Sequence, residues 1–245
     1  MQDRSLLAII PTGGGKSLCY QLPALVRNER DASLTVVVSP LQALMKDQVE
    51  NLAQKTGTAS AAALCGLLTG PERGQVMDRV VSGDVAILYI SPEQLRNPGV
   101  KRVLMMRRIG CWVFDEAHSL SKWGHDFRPD YLYCVRVIRE IADACGTPPP
   151  PVQAFTATAR PDVIRDITEC FKPVLPEGFT LFLGGVERTN LEFSVLCVSE
   201  QEKSAALLDS CGASSRIRRP APSFTARPPR PATSRRLFSS RCSPR

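Results

Sequence analysis

The sequence predicts a doubly wound α/β fold, a mostly parallel sheet with helices on both faces. Three observations carry this. Short β-branched runs recur through the first 172 residues or so, and they are continuously apolar rather than alternating. Continuous hydrophobicity suits strands buried on both faces of a parallel sheet. Amphipathic stretches of helical length separate these runs, and strict alternation of strand and helix is the pattern of a doubly wound layer.

Taken in order, residues 6–10 form the first expected strand, and the helix at 16–30 follows a glycine-rich turn. A second strand at 35–39 leads into a helix at 41–54. A further helix at 71–82 precedes the strand at 85–90. The fourth strand, 111–115, ends on two acids, and a helix at 131–144 follows it. Pro148, Pro149, Pro150 and Pro151 act as a stiff spacer into the strand at 152–156, and the helix at 160–171 closes the series. Residues 1–178 are therefore expected to be one domain. A second unit is expected over 179–209, with strands at 180–183 and 193–198 and a helix from 200. The segment 210–245 is rich in Arg, Pro and Ser without apolar period, so it cannot offset its ordering entropy and reads as disordered.

Composition excludes several classes. With 245 residues, 43% hydrophobic and 22% charged, the chain can bury a sizeable core. It has no apolar run of spanning length, and its start lacks a secretory signal pattern. Its nine cysteines form no Cys-x-x-Cys pair and sit mostly in apolar runs. From the cysteines, an intracellular, reduced, metal-free protein is the expectation, nucleoid-associated if the source is bacterial. The net charge of +7 is misleading, because residues 210–245 carry nine Arg and no acid, leaving residues 1–209 at −2. The basic pI therefore says nothing about nucleic acid on the folded body.

The chemistry lies in two loops. Thr12, Gly13, Gly14, Gly15, Lys16 and Ser17 follow a strand and open a helix. Three glycines let backbone N–H groups turn toward phosphate oxygens, and the helix N-terminus favours an anion. Lys16 would neutralise the β- and γ-phosphates, and the Ser17 hydroxyl would ligate Mg²⁺. A plain glycine-rich connection is the alternative. Asp115, Glu116 and His118 end the fourth strand. Carboxyl ends of parallel strands gather on one rim, so these acids should face the phosphate loop. Asp115 would then hold Mg²⁺ through water, and Glu116 would orient or deprotonate the attacking water. Taken alone, the acid pair could equally be a helix cap. His118 is placed to hydrogen-bond across the site toward Gln or Ser/Thr partners.

These residues resemble a superfamily 2 helicase of the RecQ type. Thr12–Ser17 continues into Leu18, Cys19, Tyr20, Gln21, Leu22 and Pro23, and residues 115–118 read Asp-Glu-Ala-His. The stretch 38–48, with Ser39 and Pro40, is similar to motif Ia, 89–95 to motif Ib, and 155–159 to motif III. Residues 120–131 resemble the family's aromatic-rich loop, and Thr189-Asn190-Leu191 resembles the entry to a second RecA-like lobe.

The resemblance covers roughly residues 5–209. It implies a RecA-like first lobe, with ATP and Mg²⁺ as ligands and single-stranded and partly duplex DNA as partner. The implied activity is ATP-dependent 3′–5′ DNA unwinding, of the kind used in DNA repair and recombination. Trp123, His125, Phe127 and Arg128, with Tyr131, combine stacking faces and polar groups suited to single-stranded nucleic acid; core anchoring is the alternative for the aromatics. Ser39, Thr156 and Thr158 suit phosphate or inter-motif contacts, while Lys46 and Asp47 could be a solvated face.

The family's upstream adenine-reading motif, its second-lobe arginine fingers and its Zn-binding and winged-helix modules have no counterpart here. Arginine fingers are worth on the order of 10³–10⁵ in rate in related NTPases. A first lobe truncated at both ends, binding ATP and single strands weakly and not unwinding DNA alone, is therefore expected. Other readings remain open: a nucleic-acid-binding module driven by the basic tail, a different P-loop ATPase, and an inactive gene fragment.

Overall fold

A computed structural model describes residues 4–121, 129–157, 160–184, 199 and 201–214. Among the described residues there are seven parallel strands: β1 (Leu6–Ile9), β2 (Leu34–Val38), β3 (Ala61–Leu64), β4 (Ile87–Ile90), β5 (Ile109–Phe114), β6 (Val152–Thr156) and β7 (Thr180–Leu183). They lie in the order β3-β4-β2-β5-β6-β1-β7. Between them run α1 (Lys16–Asp31), α2 (Gln42–Thr56), α3 (Gly70–Ser82), α4 (Pro98–Met105), α5 (Pro129–Cys145) and α6 (Pro161–Phe171).

The strands are apolar throughout because each feeds two cores. Val36, Val38, Trp112 and Phe114 join the cluster under α3 to α6, with Val80, Leu104, Ile138 and Phe171. Their neighbours Val37, Cys111 and Val113 join the opposite cluster, with Tyr20, Ala24, Met45 and Leu52 of α1 and α2. Period-two alternation across a sheet covered on both sides leaves no polar face to read.

Helix boundaries follow local chemistry. At α3, the Thr69 side chain accepts from the Glu72 amide while Glu72 Oε2 accepts from the Thr69 amide, a reciprocal cap that explains the start just before Pro71. The α4 helix, which the sequence reading missed, starts with Asn97 accepting from Gly99 N at 2.8 Å and Pro98 in the first turn.

Thr180–Leu183, expected in the second unit, instead forms the seventh strand of this sheet, and the first compact unit runs to Arg188. The physical reason is the edge of β1. With β6 on one side, its other side offers unpaired groups, and Thr180 N donates to Ser5 O at 3.0 Å and Gly184 N to Ile9 O at 2.8 Å. In the second unit, Thr189–Arg245, α7 (Lys203–Ser214) extends five residues into the segment expected to be disordered. The expected strand at 193–198 and the tail at 215–245 lie outside the described residues. Among the described residues, no helix is long and apolar enough to cross a membrane.

Candidate nucleotide site

The strand order decides where the motifs meet. β6 lies between β5 and β1, so the loops leaving the carboxyl ends of β1 and β5 flank Thr156 at the end of β6. The expectation that the glycine-rich turn and the acid pair share one rim is met directly: Lys16 Nζ stands 3.5 Å from Glu116 Oε1.

Leaving β1, Ile10 N donates to Thr156 O at 2.9 Å, and Gly14 N closes a turn onto Pro11 O at 3.0 Å. Thr12, Gly13, Gly14 and Gly15 are all exposed. Gly13 and Gly15 have φ of +82° and +81°, left-handed backbone that glycine adopts without strain. Gly14 matters for space instead, since a Cβ there would meet Ile10 Cγ2 at 2.6 Å and the Pro11 carbonyl oxygen at 3.0 Å. α1 begins at Lys16 with Gly15 as its N-cap and no side-chain cap. Its first amides are therefore left for another acceptor. The Lys16 Nζ is enclosed and makes no hydrogen bond among the described residues, while Ser17 is partly exposed beside it.

Asp115 is 7% exposed and Glu116 about a quarter exposed. Burial pushes the Asp115 carboxyl above the usual carboxylate range, and the Glu116 charge adds to the rise while Lys16 opposes it. Glu116 goes the other way. Its hydrogen bond with His118 and the Lys16 charge hold it below its ordinary value, against its own desolvation. His118 Nδ1 lies 3.3 Å from Glu116 Oε2 and 3.4 Å from Thr156 Oγ1, so it stands between the acid and the end of β6.

Some expected site residues fall elsewhere. Ser39 is at the carboxyl end of β2 but 3% exposed, leaving Pro40 as the partly exposed member of that pair. Lys46 and Asp47 are exposed on α2. Trp123, His125, Phe127, Arg128 and Thr158 lie outside the described residues. Tyr131, grouped with the stacking aromatics, is a core anchor instead. It is fully buried, packs edge to face on Phe114, and its hydroxyl donates to Asp115 O at 2.9 Å, where a base cannot reach it.

Sequence reasoning missed Gln21, Gln48 and Tyr89, which hydrogen-bond to one another between α1, α2 and β4. Gln21 Nε2 donates to Tyr89 Oη at 2.8 Å and to Gln48 Oε1 at 2.9 Å. A glutamine directly after a buried aromatic on α1 was the available signal.

Comparison with known proteins agrees with this geometry. The profile of the DEAD/DEAH box helicases matches residues 1–167. The ATP-dependent helicase SGS1 of Saccharomyces cerevisiae is 39% identical over 204 residues, covering 80% of this chain and 13% of that protein. The probable ATP-dependent DNA helicase RecS of Bacillus subtilis is 40% identical over 167 residues, covering 68% of this chain and 31% of that protein. This chain thus spans less than a third of the length of either relative. In fold, the DUF1998 helicase MrfA bound to DNA superposes with a TM-score of 0.58 at 20% identity, over 74% of this chain and 25% of that one. With the phosphate loop and the Asp-Glu-Ala-His turn on one rim of a RecA-like sheet, this chain belongs to the DEAD/DEAH box helicase family, and its curated relatives are helicases of the RecQ group.

Proposed function

We propose that this chain carries the ATP-binding lobe of a RecQ-type DNA helicase that moves 3′ to 5′ on single-stranded DNA beside a duplex. One observation carries the reading: an enclosed lysine ammonium without a hydrogen bond among the described residues, held at the open end of a glycine loop and facing a carboxylate. Such a group costs free energy unless a ligand supplies acceptors, and phosphate oxygens at a helix N-terminus do so.

In this reading the Thr12–Gly15 loop, through amides other than that of Gly14, and the Lys16 ammonium hold the β- and γ-phosphates of ATP. The residues present fit Mg²⁺. The Asp115 carboxyl, driven up by burial and by Glu116, is relieved by a cation. No trio of acid, His or Cys side chains among the described residues forms a metal cage of its own, which suits an ion shared with phosphate. Ser17 and Asp115 would hold it, and the ion would neutralise charge on the transferring phosphate. Glu116, kept ionised by His118 and Lys16, accepts a proton from the attacking water as its oxygen bonds the γ-phosphorus and the bond to the β-phosphate oxygen breaks, leaving ADP and phosphate. His118 links Glu116 to Thr156, so a shift at the end of β6 reaches the general base. Pro40, Trp123, His125, Phe127 and Arg128 are the DNA-contacting residues of this reading, while the buried Ser39 is not.

The test is fluorescent ATP-analogue binding and phosphate release with and without single-stranded DNA. Lys16→Ala should weaken binding, and Glu116→Gln should bind nucleotide but release no phosphate. Unchanged binding in Lys16→Ala overturns the reading. The arginine-rich segment favours a second one, in which residues 210–245 alone hold nucleic acid. Deleting them would then abolish DNA binding together with its steep salt dependence.

A further inference from the structure

The turn that carries Glu116 and His118 is clasped by one neighbouring unit, the β6 strand and the α6 helix that follows it. At one end His118 Nδ1 meets Thr156 Oγ1 at 3.4 Å. At the other, past the 3-10 turn Ala117–Leu120, the Ser121 hydroxyl donates to Asp166 Oδ2 on α6 at 2.7 Å. Ser121 N donates back to His118 O at 3.0 Å. Ser121 is fully buried and Asp166 half-buried.

Neither residue is what packing or helix propensity would choose. An alanine at 121 would fill nearly the same space with no hydroxyl to desolvate. Asp166 stands in the middle of α6, one residue before the core-facing Ile167, where aspartate is a poor helix former. Two locally unfavourable choices that satisfy each other mark a contact kept for where it holds the chain. What it holds is the start of the 122–128 segment, since Ser121 directly precedes it.

The far end of that segment is anchored by other elements. Pro129 opens α5, and Tyr131 donates from the core to Asp115 O at 2.9 Å. Beside it Arg96 Nε donates to Asp130 Oδ1 at 2.6 Å, with the guanidinium 4.5 Å from the centre of the Tyr133 ring. Both ends of the segment therefore return to the Asp115–His118 turn. The far end does so through a core side chain, the near end through Ser121, whose position α6 sets.

We propose that Asp166 is a positioning residue: through the Ser121 hydroxyl it holds the near end of residues 122–128 in register with Glu116 and His118, so that single-stranded DNA bound there changes the affinity of the nucleotide site. This rests on the reading of the rim as a Mg–ATP site and of residues 122–128 as DNA contacts. Without the Asp166 acceptor the segment shifts without carrying the turn with it, and the two ligands bind independently.

The experiment measures the Kd of a fluorescent, non-hydrolysable ATP analogue in Mg²⁺ on the full 245-residue chain, with and without saturating oligo-dT. In the parent the two values should differ by at least about fivefold, the lower end for linked sites. Asp166→Ala should keep the analogue affinity measured without DNA and bring the ratio to about one. Ser121→Ala should do the same, and it serves as the reading if Asp166→Ala does not fold. Asp166→Asn loses the same charge but keeps an acceptor oxygen for Ser121, so it should retain the parent ratio. A purely structural role would lower stability and leave the ratio unchanged, and a charge effect would make the Asn and Ala variants alike. Either result overturns the proposal, as does a parent that binds both ligands independently. A parent that binds no analogue, or no oligo-dT, overturns it by removing the site itself, an outcome distinct from a coupled parent with an indifferent Asp166→Ala.

Discussion

Lys16→Met should make the ligand-free chain more stable while destroying its response to nucleotide. The Lys16 side chain is 12% exposed, its Nζ has no hydrogen bond among the described residues, and the Glu116 carboxylate is 3.5 Å away and itself partly in solvent. An orphaned buried donor costs about 1–3 kcal/mol. The ion contact with a partly exposed partner returns about 0–1 kcal/mol. Methionine fills nearly the same volume with no charge to bury, so the variant should gain about 1–2 kcal/mol. For a chain of this size that is a rise in Tm of about 2–8 °C. Thermal and urea unfolding without nucleotide measure this directly. Repeating the melts with Mg–ATP at a hundred times its Kd should stabilise the parent by about 2.7 kcal/mol and the variant by far less. The order of the two melting temperatures then inverts on adding ligand. A Lys16→Met chain less stable than the parent without nucleotide would refute the reasoning, because it would mean the ammonium is already well satisfied in the empty loop.

Two further outcomes follow from the same rim. Burial raises the Asp115 carboxyl, so the stability tied to its protonated form is present at low pH and lost as pH rises through the raised value. Asp115→Asn should therefore melt higher than the parent at neutral pH, with a margin that shrinks on acidification toward the ordinary carboxylate range near about pH 4; a margin independent of pH would contradict the burial argument. In the loop, Gly13→Ala should cost about 1–2 kcal/mol through its positive φ and Gly13→Asn less, since asparagine tolerates that backbone. Gly14→Asn should be no better than Gly14→Ala, because the obstacle there is Ile10 and the Pro11 carbonyl; urea midpoints that fall in the same Ala/Asn order at both sites would count against this distinction.

What the sequence revealed tracks how locally each feature is determined. Val36–Val38 was readable as strand because residues facing either core must be apolar, and three adjacent valines satisfy both. Ala61–Leu64 was not, since alanine has little strand preference and becomes extended here through pairing with β4. Lys16, Asp115, Glu116 and His118 were legible because each sits in a short motif at a strand end, where parallel topology collects loops on one rim. The Gln21–Tyr89 bond joins residues 68 apart, and nothing local announces it. Tyr131 was misassigned for a related reason. Aromatic residues next to a polar loop look alike in sequence, whether they stack on a ligand or, as here, pin a carbonyl from inside.

The Asp115–Glu116 turn shows why that pinning matters. Glu116 has φ 49° and ψ 46°, one of two non-glycine residues among those described with positive φ; the other, Ala32, ends a helix. Left-handed backbone costs a side-chain-bearing residue about 1–2 kcal/mol. Here it is held by the Tyr131 hydroxyl on Asp115 O, by Glu116 N on Asp115 Oδ1 at 3.0 Å, and by Ser119 N on Glu116 O at 3.0 Å. The first of these fixes the carbonyl from the core, so the turn does not depend on a ligand for its shape. The left-handed residue leads from the strand end into a 3-10 turn at Ala117–Leu120. Asp115 consequently stays buried in line with the sheet, while Glu116 swings out between Lys16 and His118. Two adjacent acids thereby acquire opposite environments, one desolvated and raised, the other hydrogen-bonded and lowered. That separation suits the two roles proposed above for Asp115 and Glu116. A glycine at position 116 would relieve the backbone but remove the carboxylate that meets Lys16 and His118.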